Sequence, residues 1–541
     1  MAAQLVLVQL VEVRSLSREP WFESSPAGWL WRLKFSAAAQ RGIVVPGPAI
    51  QAEEHERVTT RPAAVVVLAA GEGTRMKSST PKVLHELAGR SLVGHAVAAV
   101  QELEPDHLTV VIGHGRDQVA AHLGQTPGVA TVVQEQQLGT GHAVQVALGA
   151  LPDLDGVVVV TYGDVPLLTG ATLHELVDAH TADANAVTVL TADVADPTGY
   201  GRILRDDEGA VRGIVEHKDA SAEVRAITEI NSGIYAFDAA VLRSALGQLT
   251  TDNSQGELYL TDVLGIARSE GRRVGAFVTD DPWQTEGVND RVQLATMTRE
   301  LNRRVTERWM RAGVTMVDPA TTWIDATVTL EQDVVLRPGV QLHGSTHVGA
   351  GAEVGPDSTL RDVTVGADAS VVRSHLVGAE VAASASVGPF SYLRPGAVID
   401  ERAKAGAFVE IKASSVGEGA KVPHLSYVGD ATIGAGVNIG AGTIVANYDG
   451  VAKHHTTVGR HTFVGSDSVL VAPVELADGS YVAAGSTVTA GTEPGELAVA
   501  RARQRNVDGW VARRRAGTAT AEAAHAAQQR AGDDHVEGES V

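Results

Sequence analysis

The sequence predicts an α/β plus all-β chain, in which a mostly parallel sheet is followed by a parallel β-helix. Three observations carry this. The first is a six-residue beat: aliphatic residues recur at Ile324, Leu330, Leu336, Leu342, Val348, Val354 and Leu360, and again at Val458, Val464, Leu470, Leu476, Val482 and Val488. If roughly a quarter of positions are Ile, Leu or Val, seven in strict register arise at about one start in ten thousand. The second is an alternation of strand-like and helix-like runs between residues 63 and 289. The third is length, because 541 residues exceed what one hydrophobic core organises.

A period of six suits neither an amphipathic helix nor a flat alternating strand. Each hexad is one face of a coil, its anchor pointing inward, with small residues such as Gly349-Ala350-Gly351 turning the corner. The alternative, a Val- and Gly-rich sandwich, requires period 2 and irregular spacing, which this stretch lacks.

In chain order, residues 1–60 read as a disordered or mis-annotated extension. They open on the apolar run 5–11 without preceding cations, so they do not resemble a secretory signal. A further expectation is that translation starts at Val58. From Ala63 the texture becomes that of a buried strand, and further strands are predicted at 108–112, 131–133, 157–161 and 186–191, with helices at 91–103 and 173–180. This unit is assigned to 61–289. The arginine-rich segment 290–312 predicts a linker helix, residues 313–511 the β-helix unit, and 512–541, rich in Ala, Gln, Gly and acids, a disordered tail.

Composition narrows the function. The formal charge of −21 argues against nonspecific nucleic-acid binding, which needs a field of Lys and Arg. The absence of cysteine removes disulfides, thiolate nucleophiles and thiolate metal sites, and is compatible with a reducing cytoplasm. No apolar run approaches the roughly twenty residues of a membrane-spanning helix.

The first unit carries a phosphate-binding pattern. Gly71-Glu-Gly-Thr-Arg-Met follows a strand, but Met76 stands where a dinucleotide fingerprint wants Gly, and no Gly-Lys-Ser/Thr follows to make a P-loop. What remains is a glycine turn whose amides hold phosphate oxygens, with Arg75 and Lys82 nearby to neutralise a triphosphate. Asp164 ends the run 157–161 and offers a carboxylate to a phosphate-bound Mg2+.

These motifs, with Pro81-Lys82, resemble the sugar-1-phosphate nucleotidyltransferases. Gln137-Leu-Gly-Thr-Gly-His-Ala, Tyr162-Gly-Asp-Val-Pro, Asp196-Pro-Thr-Gly-Tyr-Gly-Arg, Glu216-His-Lys-Asp, Glu229-Ile-Asn and Glu286-Gly-Val-Asn bring it closer to one family. Its members are bifunctional N-acetylglucosamine-1-phosphate uridylyltransferases and glucosamine-1-phosphate N-acetyltransferases. The resemblance spans roughly 63–511. It implies a Rossmann-like nucleotidyltransferase domain and a left-handed β-helix of hexapeptide repeats, with Mg2+ as cofactor and UTP and acetyl-CoA as co-substrates. It also implies a cytoplasmic homotrimer with the acetyltransferase site between chains.

Carried over residue by residue, the resemblance implies that Leu68, Ala69, Ala70, Gly71, Lys82, Gln134, Gly139, Thr140, Tyr162 and Gly163 line the uridine and phosphate sites. Gly201, Glu216 and Asn231 would contact the sugar, and Asp164 and Asn289 would hold Mg2+. In the second domain, Lys421-Val-Pro-His-Leu-Ser-Tyr-Val-Gly-Asp resembles the motif whose histidine, here His424, is the general base of acetyl transfer. Pro423 stands where many relatives have Gly. Arg394, Lys412, Tyr427 and Asn438 would bind the sugar phosphate; Ala441, Asn447, Tyr448, Ser466, Ala484 and Arg501 would bind acetyl-CoA. Residues 451–457 break the hexad count and should loop out of the coil, as a solvated turn or in reach of CoA. Two other readings remain open: a nucleotidyltransferase whose β-helix only assembles or regulates it, and a noncatalytic repeat scaffold.

Overall fold

Ala64–Ala69 is six buried residues in succession, the pattern of a strand covered on both faces. It forms β1 of a mixed sheet in the computed structural model, which describes residues 60–537. The expected extension 1–60 and the proposed start at Val58 lie outside the described residues, Thr60 excepted. The other strands are β2 (His107–Ile112), β3 (Val129–Val133), β4 (Val157–Tyr162), β5 (Val187–Asp193), β6 (Gly201–Arg205), β7 (Val211–Val215), β8 (Glu229–Asp238) and β9 (Val274–Val278). Their order is β9-β5-β8-β4-β1-β2-β3, with β6 paired to β8 off this path and β7 paired to β6. The sheet is less parallel than predicted, because β8 runs antiparallel to β4 and β5. Helices including Leu92–Gln101, Thr140–Gly149 and Gly170–Ala182 bury Val93, Val144 and Leu173 against its two faces.

Arg291–Arg311 is the linker helix, with Asp290 as N-cap accepting the amides of Val292 and Gln293 at 2.9 Å. Its first half packs Met297 against Leu87, Leu92, Leu167 and Val288 of the α/β domain. Its second half places Val305 in the β-helix core, with Leu301 and Trp309 packed against it.

The repeat forms three parallel sheets wound as the faces of a left-handed prism. The first face runs from Thr315–Met316 to Leu497–Ala498, the second from Trp323–Ile324 to Thr487–Val488, and the third from Thr329–Leu330 to Val474–Leu476. All thirteen hexad anchors are buried. On the second face Ile324 pairs with Leu342, Leu342 with Leu360, Leu360 with Leu376 and Leu376 with Leu393. The beat fades after Leu360 although the coil does not. Leu360 and Leu376 are in register across sixteen residues, and Leu376 and Leu393 across seventeen, because some corners are a residue shorter.

The tail departs from expectation. Trp510–Arg514 and Ala519–Glu537 are helices, because the Ala, Glu and Gln read as disorder-promoting are also strong helix formers. No helix among the described residues is long and apolar enough to cross a membrane.

Leu393→Ala is expected to destabilise the β-helix by about 2–5 kcal/mol, the range for emptying a leucine site in a packed core. Urea unfolding checks it, with the exposed Glu380→Ala as a control expected to stay within about 0.5 kcal/mol of the parent.

Candidate active sites

The first site lies beyond the carboxyl ends of β1 and β4, where an α/β sheet places ligands. Leu68, Ala69, Ala70, Gly71, Lys82, Gln134, Gly139, Thr140, Tyr162 and Asp164 line a cleft of about 290 Å3, with Val83, Gln137, Ala143 and Glu257 added by the structure. The two glycines of the turn after β1 are not equivalent. Gly71 faces open space, whereas Gly73 has φ +63° and a Cβ there would stand 2.5 Å from Cβ of Lys82. The Lys82 ammonium bonds the Asp164 carboxylate and lies 3.4 Å from Oδ1 of Asn289, which accepts from Arg75 at 2.8 Å. The Val288 amide donates to the Asp164 carbonyl at 2.9 Å, which places Asn289 beside it. One carboxylate and one carboxamide oxygen facing a common cation make a hard-oxygen pair, which fits Mg2+ when phosphates and water complete the shell.

Gly201, Glu216 and Asn231 are not among the residues that line this cleft, but they do meet: a Cβ on Gly201 would lie 3.3 Å from Oε1 of Glu216 and 3.5 Å from Cβ of Asn231. Oδ1 of Asn231 accepts from the Gly233 amide at 2.9 Å and the Tyr235 hydroxyl at 2.8 Å, so its amide nitrogen remains a donor. Burial, then the charges of Asp219 and Asp262, raises the pKa of Glu216. Burial, helped by Asp164 and Glu216, also keeps Tyr162 protonated.

The second site is on the β-helix, where the predicted residues fall into two groups. His424 is exposed at the end of a first-face strand. The amide of Gly442 donates to the His424 carbonyl, that of Asp467 to Ala441 and that of Gly485 to Ser466. His424, Ala441, Ser466 and Ala484 therefore occupy one position in four successive coils, with Arg501 beyond them against Gly485. Asn438 projects from the same first face.

The other group is on the second face. Arg394, 3.0 Å from Glu410, and Lys412, 2.8 Å from Asp430, follow the in-register anchors Leu393 and Ile411. Asp430 also accepts from Asn447 at 2.5 Å. Gly429 leaves room for this, since a Cβ there would lie 2.4 Å from the Tyr427 hydroxyl and 2.8 Å from Nδ2 of Asn447. Among the described residues no hydrogen bond or ion pair joins the two groups.

The segment that broke the hexad count loops out only in part: Tyr448 bridges antiparallel to Lys453, but Thr456 and Thr457 are back in a third-face strand, Thr456–Val458, paired with Ala431 and Thr432. Its Lys453 returns to Lys412, whose hydrogen bonding and charge lower the Lys453 pKa. Asp430 is partly buried, which raises its pKa, but the bonds from Lys412 and Asn447 outweigh this and hold it low. Asp449 is held lower still by the Ala452 amide, His454 and the Val451 amide.

Comparison with known proteins follows this division. Residues 65–229 match the family of MobA-like NTP transferase domains, and residues 455–490 the hexapeptide repeat of succinyl-transferase. The bifunctional protein GlmU of Streptomyces coelicolor is 61% identical over 478 residues, covering 88% of this chain and 99% of that protein. The chain belongs to the GlmU family. The GlmU of Paenarthrobacter aurescens is 58% identical over 475 residues, covering 87% of this chain and 96% of its own. The GlmU of Corynebacterium aurimucosum is 56% identical over 478 residues, with 87% and 98% covered.

Several residues that build the GlmU-like sites were absent from the sequence-based set. Gln137 had a signal, standing in a quoted motif, and it donates to the Ala70 carbonyl at 2.6 Å. Asp430 likewise ends the motif that begins at Lys421, and Glu410 stands two residues before Lys412; Glu257 had no signal, because it meets the other groups only through folding. Lys453 sits in a loop whose position periodicity cannot give.

Carboxylates with lowered pKa support structure above their unfolded-state pKa and lose it as pH falls through the lowered folded value. The Val451 and Ala452 amides, bonded to Oδ1 of Asp449 at 2.8 and 2.7 Å, should stay protected from exchange at about pH 4. Protection should be lost only at lower pH, which pH-corrected hydrogen exchange measures.

Proposed function

We propose that the chain makes UDP-N-acetylglucosamine in two steps, acetylating glucosamine-1-phosphate with acetyl-CoA on the β-helix and joining the product to UMP from UTP on the α/β domain. The observation that carries this reading is the pairing of two unlike sites in one chain. The Lys82, Asp164 and Asn289 cluster suits phosphate chemistry, and the exposed His424 begins a column of small residues.

In uridylyl transfer the sugar phosphate is already anionic. Its oxygen attacks the α-phosphorus of UTP, the new P–O bond forms as the bond to the β-phosphate bridge breaks, and pyrophosphate leaves. No general base is required, so the residues neutralise charge and align the reactants. Lys82 and Arg75 face the phosphates, Gln134, Gly139 and Thr140 the uridine, and Gly201, Glu216 and Asn231 the sugar. Asp164 and Asn289 are the residues that would hold Mg2+, which supplies charge neutralisation at the phosphates when bound.

Acetyl transfer differs, because a protonated amine has no lone pair. His424 takes a proton from the ammonium group, the freed nitrogen attacks the thioester carbonyl, and as the C–S bond breaks the sulfur takes up the second proton that nitrogen sheds, so that CoA leaves as the thiol. Arg394, Lys412 and Lys453 suit the sugar phosphate. Ala441, Ser466 and Ala484 present little bulk, so an extended pantetheine arm fits along them toward Arg501.

A homotrimer is part of the reading. Phe390, Phe408 and Leu425 form a ladder at the corner beside His424, 52–62% exposed, each at positive φ. Phe390 and Phe408 stack at 5.2 Å. Exposed apolar residues in a conformation unfavourable for bulky side chains favour burial against another copy. The divergence of His424 from Arg394 and Lys412 onto two faces gives that copy a place in the site. The co-substrates, UTP and acetyl-CoA, suit a cytoplasmic enzyme.

Asp164→Ala should slow uridylyl transfer by roughly 10²–10³-fold, the scale of losing one electrostatic stabiliser, and leave acetylation intact. His424→Ala should do the converse, by about 10²–10⁴-fold. Separate assays of UTP-dependent pyrophosphate release and CoA thiol release decide; a variant losing both activities while folded counts against separate sites. Phe408→Asp should yield monomers in sedimentation, with acetylation lost and uridylylation retained.

A further inference from the structure

The segment after Lys82 leaves the cleft and reaches the other domain. A short helical turn, Lys82–Leu84, leads into a hairpin of Glu86–Leu87 and Arg90–Ser91. Its tip, Ala88 and Gly89, has φ +45° and +72°, the left-handed pair of a tight two-residue hairpin. This tip is seated on the start of the β-helix. The Ala326 amide donates to the Ala88 carbonyl at 2.8 Å. Gly89 lies flat on Asp325, so that a Cβ would stand 2.4 Å from Oδ2 and 2.6 Å from Cγ.

Asp325 is itself fixed. It is 7% exposed, its Oδ2 accepts from the Gly344 amide at 2.9 Å, and its Oδ1 lies 3.4 Å from Nδ1 of His343. At the hairpin base, the Leu92 amide donates to the His85 carbonyl at 2.9 Å, and Leu87 and Leu92 are fully buried. The strap from Asp325 to Lys82 is therefore short and has little slack. A second strap runs through the linker helix, where Nε of Arg291 donates to the Met76 carbonyl at 3.0 Å. The helix's other half is packed into the β-helix core. The glycine turn and Lys82 are thus both fastened to parts anchored on the β-helix.

We infer that the first coil of the β-helix is a working part of the nucleotidyl-transfer site, with Asp325 a positioning residue that, through Gly89, sets where the Lys82 ammonium stands relative to Asp164 and Asn289. The inference rests on the reading of Lys82 as the cation that neutralises phosphate. Neither Asp325 nor Gly89 touches the reactants. Their effect is on the placement of Lys82, where an error of about 1 Å can cost up to about 10²-fold in rate.

The test uses full-length Gly89→Ala, Asp325→Ala and the double variant, with uridylyl kcat and KM and acetyl transfer measured on each. Gly89→Ala is expected to lower uridylyl kcat about tenfold and to leave the KM for UTP within about twofold. Acetyl transfer should be unchanged. Asp325→Ala should cost about threefold, and the double variant should recover to about that level, because the added methyl no longer meets a carboxylate. Strain of alanine at positive φ persists in the double variant, so a merely local turn defect predicts no recovery.

A uridylyl kcat for folded Gly89→Ala within twofold of the parent overturns the inference, as does a double variant as slow as Gly89→Ala. Should Gly89→Ala not fold, Asp325→Ala with undiminished uridylyl kcat overturns it. Lys82→Ala separates the two levels: if it keeps full uridylyl activity, the reading of Lys82 fails and the inference with it. If Lys82→Ala is inactive while Gly89→Ala is normal, only the inference fails.

Discussion

Everything the β-helix does depends on one packing constraint, the stacking of one inward aliphatic side chain per face upon its equivalent in the next coil. A single coil has no core of its own, so Leu342 is buried only because Ile324 and Leu360 lie in register on either side. Parallel register fixes the inward positions and, with equal force, the outward ones. A residue chosen for chemistry at one outward position is automatically aligned with its counterparts above and below. The columns of His424 and of Arg394 with Lys412 are products of the packing that forms the core.

This explains how much the sequence disclosed. Periodicity exposed the coil wherever the step was six, and it failed between Leu360 and Val458, where shorter corners and the loop before Thr456 shift the beat without disturbing inward burial. In the α/β domain the run at Ala64–Ala69 announced a central strand, whereas the antiparallel direction of Glu229–Asp238 follows from its connections and leaves no trace in its composition. The tail misled because alanine-rich polar sequence is compatible with both helix and disorder. Glycine-marked site residues were legible, since Gly71 and Gly73 mark a turn by their identity. A carboxylate such as Glu257 was not, because its role is set by partners distant in the chain.

A chain of formal charge −21 that is to handle phosphates must place its cations with care. Three of those aligned with a proposed phosphate position already have an acidic partner: Lys82 with Asp164, Arg394 with Glu410, Lys412 with Asp430. Such pairs keep the cation ordered and compensated, at little net gain where solvent screens them. An incoming phosphate then replaces a carboxylate's attraction instead of meeting a bare charge. In the Lys82 pair the acidic partner is also the proposed metal ligand, so binding there exchanges Asp164 between two cations.

The β-helix also acts as a ruler. Coils stack at about 4.8 Å, so the four steps from His424 through Ala441, Ser466 and Ala484 to the level of Arg501 span roughly 19 Å. That is the scale of an extended thioester arm ending in a diphosphate, and the small side chains leave its path clear. With Arg501 as the proposed cation at the far end and His424 as the proposed base at the near end, such a molecule would lie with its acyl carbon at His424. The amine must then arrive from the direction the column leaves open. Within one chain the proposed phosphate-binding cations, Arg394 and Lys412, lie on the adjoining face of the prism. A second prism packed against the corner of Phe390, Phe408 and Leu425, as in the proposed trimer, would bring a cationic face opposite His424. The ladder that stands beside the base is therefore placed where assembly and acetyl transfer impose the same requirement.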